Sequence, residues 1–153
     1  MKVLVVYDTV SPMKVTKSVA ETIVGVLKEK GIDVDSFFVN DVDKATVKNY
    51  DSLIAGGPTM YFRASRGIMT FLNSLQKEFS GKSAAAFDTQ LQSRFSGNAT
   101  KGIESKLKNL GFNIIAPPLV TYVEGKTNEM QLKAGEVEKI KNWAEEIAKM
   151  LSK

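Results

Sequence analysis

The chain contains no cysteine and no histidine. Without thiols there can be no disulfide, no thiolate nucleophile and no cysteine-held iron–sulfur cluster. Without imidazole a Ser-His-Asp triad is excluded, and a zinc hydrolase loses its usual anchors because carboxylates alone hold zinc poorly. Long hydrophobic runs are missing as well. No stretch approaches the roughly 18 apolar residues that a membrane span needs. Met1-Lys2-Val3 opens directly into a strand pattern, which predicts no signal sequence, no membrane insertion and a cytoplasmic location. Difficult chemistry, if the chain performs any, falls to a bound organic cofactor.

What is present is ordinary for a soluble globular chain. At 153 residues, 43% hydrophobic and 25% charged, the sequence fits a single domain spanning 1–153 with enough length to bury a core. The net charge of +4 comes from 21 Lys and Arg against 17 Asp and Glu. Lys101, Lys106, Lys108, Lys139, Lys141 and Lys149 alternate with glutamates along helical patterns and read as solvated faces. No long basic block or nucleic-acid motif occurs, so no nucleic-acid partner is expected.

Strand and helix signals alternate along the chain. Lys2 to Tyr7 is an apolar run suited to a buried strand, followed at once by a hydroxyl-rich turn. Ser11-Pro12 reads as an N-cap with proline at the first helical position. Val15, Val19, Ile23 and Leu27 recur every four residues, with Val26 beside them, and Lys30-Gly31 closes that helix. Val34 to Val39 is the second strand, and Asp41 to Asn49 has room for a helix of a turn or two. Ser52 to Ala55 is the third strand, expected to break at Gly56-Gly57-Pro58. Ile68, Phe71, Leu72 and Leu75 mark a helix, Ser83 to Phe87 the fourth strand, and Ile103, Leu107 and Leu110 a third full helix. Phe112 to Val123 contains the fifth strand, which Pro117-Pro118 interrupts. Val137, Ile140, Ala144, Ile147 and Leu151 line the last helix, with Trp143 beside them. Such alternation predicts right-handed crossovers onto a parallel sheet covered on both faces.

In that architecture the loops after the strands meet at one edge, and a crevice opens where the strand order reverses. The first loop runs from Asp8 to Thr16. The hydroxyls of Thr9, Ser11 and Thr16 and the N–H groups of Met13, Lys14, Val15 and Thr16 could enclose a phosphate, with Lys14 adding charge. Capping of the helix by Ser11 accounts equally well for part of this pattern. The loop after strand three, Gly56 to Ser65, carries Tyr61 and Phe62, flat apolar side chains on which a heterocycle could stack, Tyr61 being the preferred one, or which could instead pack down on neighbouring helices. The loop after strand four, Phe87 to Gly97, offers Asp88, Thr89 and Gln90 as hydrogen-bonding partners for a ring edge.

Taken together, these loops resemble the flavodoxin family over almost the whole chain. Val5-Val6-Tyr7-Asp8-Thr9 resembles its first strand and turn; Thr16 followed by Val19-Ala20 falls where its phosphate loop enters the helix. Gly57-Pro58-Thr59 and Phe71-Leu72 resemble its second loop and following helix, and Gly81-Lys82, Ala84-Ala85-Ala86-Phe87 and Ser96-Gly97 its fourth strand and third loop. The direct run from Val123 to the last helix resembles the short form of the family. The resemblance implies a three-layer α/β/α sandwich around a five-stranded parallel sheet in the order 2-1-3-4-5. It also implies FMN, its phosphate held by Thr9, Val10, Ser11, Met13, Lys14, Val15 and Thr16. The isoalloxazine would lie between Pro58, Thr59, Met60, Tyr61 and Phe62 on one side and Asp88, Thr89, Gln90 and Phe95 on the other.

Two departures stand out. The family's phosphate loop usually reads hydroxyl-x-hydroxyl-Gly-Asn-Thr, whereas Ser11 to Thr16 lacks both Gly and Asn and holds two extra residues. This bears on cofactor affinity more than on fold. Typical flavodoxins are acidic, whereas this chain is basic. Arg63, Arg66 and Arg94 flank the loops expected around the ring, and a unit charge about 8 Å away at an effective dielectric of about 20 contributes roughly 2 kcal/mol before screening. The charges predict a less negative potential on full reduction and a redox partner protein with an acidic docking face, unless these arginines project into solvent and pair with helix carboxylates. The resulting reading is a monomeric or weakly dimeric FMN-binding electron carrier more than a self-standing oxidoreductase. An FMN-dependent NAD(P)H:quinone-type reductase, or a domain of this fold that binds no FMN and serves regulation or interaction, remain open as alternatives.

Overall fold

The computed structural model describes all residues except Ser11, Tyr61, residues 93–96 and Thr127. Among the described residues an eight-stranded sheet forms the middle layer. Its elements are β1 (Lys2–Tyr7), β2 (Asp33–Phe38), β3 (Ser52–Met60), β4 (Arg63–Ala64), β5 (Ser83–Leu91), β6 (Asn113–Ile114), β7 (Leu119–Glu124) and β8 (Gln131–Leu132). The helices are α1 (Val15–Glu29), α2 (Arg66–Asn73), α3 (Ala99–Asn109) and α4 (Glu136–Leu151), with a 3-10 turn at Lys44–Asn49 after β2.

The path across the sheet is β2-β1-β3-β5-β7-β8. The five principal strands are mutually parallel and keep the expected 2-1-3-4-5 order. Additions to the five-stranded expectation are small: β4 folds back antiparallel on β3, β8 antiparallel on β7, and β6 extends the far end of β5. The split between β6 and β7 falls at Pro117-Pro118, where proline has no N–H to give a ladder.

Period-two alternation assigns the strand residues to two cores. Val3, Val5, Ile54, Ala85 and Phe87 face α1 and α4, burying Val19, Ile23, Leu27, Ile140 and Ile147 with them. Leu4, Val6, Leu53, Ala84 and Ala86 face the opposite way, against Ile68, Phe71, Leu72, Ile103 and Leu107 of α2 and α3. Burial on both faces explains why β1 reads as an unbroken apolar run. Val137 is not part of the buried stripe of α4: it is exposed, and the first buried position of that helix is instead Glu136, whose carboxylate takes a hydrogen bond from the Tyr122 N–H and a salt bridge from Lys139.

Several expected boundaries move, each for a local reason. Strand β3 does not break at Gly56-Gly57-Pro58; it continues to Met60, pairing Gly56 with Phe87, Gly57 with Asp88 and Pro58 with Thr89. Glycine is required at position 56 because a Cβ there would stand 2.4 Å from ring carbons of Phe87. The two glycines make room for a neighbour rather than a turn. Strand β5 likewise runs to Leu91, so Asp88, Thr89 and Gln90 are strand residues and not loop residues. Helix α1 begins at Val15 and not at Pro12, with Lys14 in the left-handed region at φ 50° as its leading residue and Pro12-Met13 in a preceding turn. Helix α3 is capped by Asn98, whose side chain accepts from the Thr100 N–H at 2.9 Å.

Candidate functional site

The strand order reverses between β1 and β3, so the turns leaving these strands diverge and expose the C-terminal edge of the sheet. The turn after β1 forms one wall of this edge. The Asp8 N–H bonds the Gly56 carbonyl at 3.0 Å, holding the start of the turn to β3. The Asp8 carboxylate turns inward, accepting from the Thr9 N–H at 2.9 Å and from the Ser65 hydroxyl, and packs against Gly67 in the first turn of α2. A negative group there complements the positive end of that helix.

Thr9 has the most telling position. Its hydroxyl oxygen is buried and has no hydrogen-bond partner. Leaving such a group unpaired costs about 1–3 kcal/mol, and native proteins seldom tolerate it without a reason. Thr9 lines a depression of about 430 Å³ together with Val10, Pro12, Lys14 and Lys17, and the acidic Asp41 lies on its lining as well. The leading N–H groups of α1 open at the same turn, since the first helical turn has no intrahelical acceptor for them. An anion placed on the helix side of this depression would meet an unpaired hydroxyl, two lysines and a helix N-terminus, with the Asp41 carboxylate opposing it.

The ends of β3, β5 and β7 form the adjoining wall, and they behave differently. A cleft of about 260 Å³ is lined there by Val10, Val15, Thr16, Pro58, Thr59, Met60, Thr89 and Gln90 among others, with Val10 shared with the first depression. Thr16 is buried and its hydroxyl bonds that of Thr89 at 2.8 Å. Asp88 is fully buried, accepting from the Thr59 hydroxyl at 2.9 Å, the Gln90 amide at 2.7 Å and the Thr121 N–H at 3.3 Å. Burial pushes its carboxyl up to about 6, against the lowering effect of those hydrogen bonds. Thr59 in turn accepts from the Ala99 N–H at 3.0 Å, which ties the network to the start of α3.

The structure therefore brings Thr9, Val10, Lys14, Val15, Thr16, Pro58, Thr59, Met60, Thr89 and Gln90 to one continuous edge. Met13 is exposed on the turn beside it. Asp88 lies behind the cleft, its carboxylate engaged within the protein and not presented to a ring. Phe62 is 61% exposed at a left-handed φ of 72° and pairs with Gly97, so it projects away from the core. Ser11, Tyr61 and Phe95, also expected to contact a cofactor, fall outside the described residues, as does Arg94. Asp8, Ser65 and Thr121 are functional neighbours that the pattern reading missed. Thr121 left a signal: it occupies a buried strand position between Leu119 and Val123, where an apolar residue is normal.

Among the described residues there is no group of His, Cys, Asp and Glu able to hold a metal, and no helix long and apolar enough to cross a membrane. Comparison with known proteins then decides the family: the model of the flavodoxin domain matches residues 4–150. The chain belongs to the flavodoxin family. Among solved structures, a flavodoxin from the domain Archaea superposes with a TM-score of 0.82 at 24% identity, covering 100% of both chains. Oxidised flavodoxin 1 from Bacillus cereus gives 0.80 at 20% identity, covering 97% of this chain and 98% of that one. Rubredoxin oxygen:oxidoreductase from Desulfovibrio gigas gives 0.78 at 20% identity; 99% of this chain matches only 36% of that longer one. At these identities the neighbours establish a shared flavodoxin fold. No curated protein sequence matches the chain.

Proposed function

We propose that this flavodoxin-family chain binds FMN and carries electrons to or from another protein. The observation that carries the reading is the partnerless buried hydroxyl of Thr9, set at a strand-to-helix turn on the edge where the strand order reverses. The residues present fit the cofactor. Thr9, the leading N–H groups of α1 and Lys14 would hold the phosphate, and Lys14 adopts the left-handed conformation that the family pattern leaves to glycine. Pro58, Thr59, Met60 and Gln90 would flank the ring system along the adjoining cleft.

The flavin supplies the redox chemistry; the chain supplies binding, orientation and electrostatics, none of which calls for His or Cys. Arg63 and Arg66 are exposed beside this edge and bear no ion pair to any carboxylate. They favour the reduced, more negative cofactor and a partner whose contact face is acidic. The test is direct. The purified protein, loaded with FMN, should be reduced by a flavoprotein reductase partner and not at a comparable rate by NAD(P)H alone. Fast turnover with NAD(P)H and a quinone would replace the carrier with the reductase, and failure to take up FMN on titration would remove both.

A further inference from the structure

A second concavity lies across Met60 from the cofactor cleft and is far larger, about 1280 Å³. It opens between β4 and the starts of α2 and α3. Arg63, Arg66 and Lys101 line it, and no Asp or Glu does. None of these three cations forms an ion pair, and none of the residues outside the described set is acidic, so no hidden carboxylate neutralises them. Between the charges, beside the polar Asn98, stand large apolar side chains: Met60 and Phe62 are 39% and 61% exposed, and Met69 is half-buried.

Two costs meet in this cavity. Uncompensated like charges around a concave wall repel one another and focus a positive potential into it. Large apolar side chains exposed side by side leave surface in water that a ligand could cover. Phe62 is moreover held out by its left-handed backbone, which Gly97 alone accommodates: a Cβ on Gly97 would stand 2.4 Å from the Phe62 Cα. A simple anion would answer only the charges, and a neutral hydrophobe only the exposed apolar side chains.

We infer that this cavity is a binding site for a small organic anion, a carboxylate or phosphate carried on a flat apolar body, bound beside the cofactor cleft and independently of it. An acidic group alone would use only the charges; the exposed Phe62 and Met60 set among them call for a ligand that carries an apolar face beside its anion. The carboxylate would pair with Arg66 and Lys101, and the flat body would lie against Phe62 and Met69 with the Arg63 guanidinium free to stack on it.

The probe is 2-naphthoate, with uncharged 2-naphthylmethanol as its control, titrated by calorimetry and by amide NMR shifts into the full chain with and without FMN. The naphthoate should bind at least tenfold more tightly than the alcohol and shift residues of β4 and the first turns of α2 and α3. Gly102 lines the cavity with nothing within 4 Å of its absent side chain, so Gly102→Glu places a carboxylate there without a clash. This variant should lose naphthoate binding by at least tenfold while its FMN affinity stays unchanged and its thermal midpoint is the same or higher, since Glu replaces a helix glycine among unpaired cations. Arg66→Gln with Lys101→Gln should weaken naphthoate to the level of the alcohol. Equal binding of the two probes, indifference to both variants, or no binding at millimolar naphthoate would overturn the inference. Because the titration is also run without FMN, a failure of the flavin reading would leave this result standing on its own.

Discussion

The turn after β1 and the ends of β3 and β5 border the same edge, yet their polar groups are in opposite states. At the strand ends every buried polar side chain has found a partner inside the protein: Thr16 with Thr89, and Asp88 with Thr59 and Gln90. At the turn, Thr9 has none. Strand ends are held in register by their ladders, so side chains facing one another across β3, β5 and β7 can satisfy each other permanently. A glycine-free turn led by a left-handed Lys14 has no such ladder and can leave a hydroxyl waiting. The difference teaches where binding energy can be gained: a ligand's anionic end gains hydrogen bonds at the turn, while its body gains mainly contact along the strands.

The largest effect should come from removing the packing beneath the strand ends. Phe87 fills the space that Gly56 leaves, and Phe87→Ala should destabilise the fold by about 3–5 kcal/mol in a denaturant titration. It should also erase the contrast, because the Asp88 network depends on the same register.

Asp88 gives the next effect, with a definite sign. Its carboxyl stands at about 6 in the folded protein against 3.8 ordinarily, so between those values the folded state binds more protons than the unfolded one. This contribution to stability is therefore present in full at low pH and is lost as pH rises through about 6. Its ceiling is roughly 3 kcal/mol. Asp88→Asn keeps the shape and cannot titrate, so the difference in unfolding free energy between variant and wild type should shift in the variant's favour as pH rises from about 4 to 7. A difference that does not change with pH would show that Asp88 is ordinary.

A smaller change separates the two states of threonine. Thr16→Val removes a hydroxyl that is already bonded to Thr89, and should cost about 1 kcal/mol of stability through the lost bond. FMN affinity should fall less than in a Thr9 variant. A larger fall than at Thr9 would mean that Thr16 leaves Thr89 to serve the ligand, as the sequence pattern alone suggested.

Much of the fold was legible in the sequence because it rests on periodicity. The apolar four-residue spacing of Val15, Val19, Ile23 and Leu27 and the unbroken run of β1 mark elements whatever the loops do. The boundaries near the site were less legible, and for one reason. Glycine has two uses, freedom of backbone and absence of side chain, and the sequence does not say which applies. Gly56 serves the second, so β3 continues where a break was expected. That extension carried Asp88 out of a loop and into the interior. Thr9 and Thr16 looked equivalent as loop hydroxyls; only the packing of β5 beside α1 distinguished the bonded one from the free one. The basic cavity was half visible: Arg63 and Arg66 stood out by charge, but Lys101 lies on another helix and joins them only in three dimensions.

The central claim is that the turn after β1 is open for the phosphate of FMN, and a paired titration tests it most directly. Wild type and Thr9→Val are each titrated with FMN and with riboflavin, which lacks the phosphate, following quenching of flavin fluorescence. Hydrogen bonds to charged groups contribute about 1.5–3 kcal/mol, so the wild type should bind FMN far more tightly than riboflavin and Thr9→Val should lose about tenfold to a hundredfold of its FMN affinity. Riboflavin affinity should stay where it was. The unliganded variant should be as stable as wild type or more so, since it no longer buries an unpaired hydroxyl. Equal binding of FMN and riboflavin by the wild type, or an FMN dissociation constant untouched by Thr9→Val, would contradict the account.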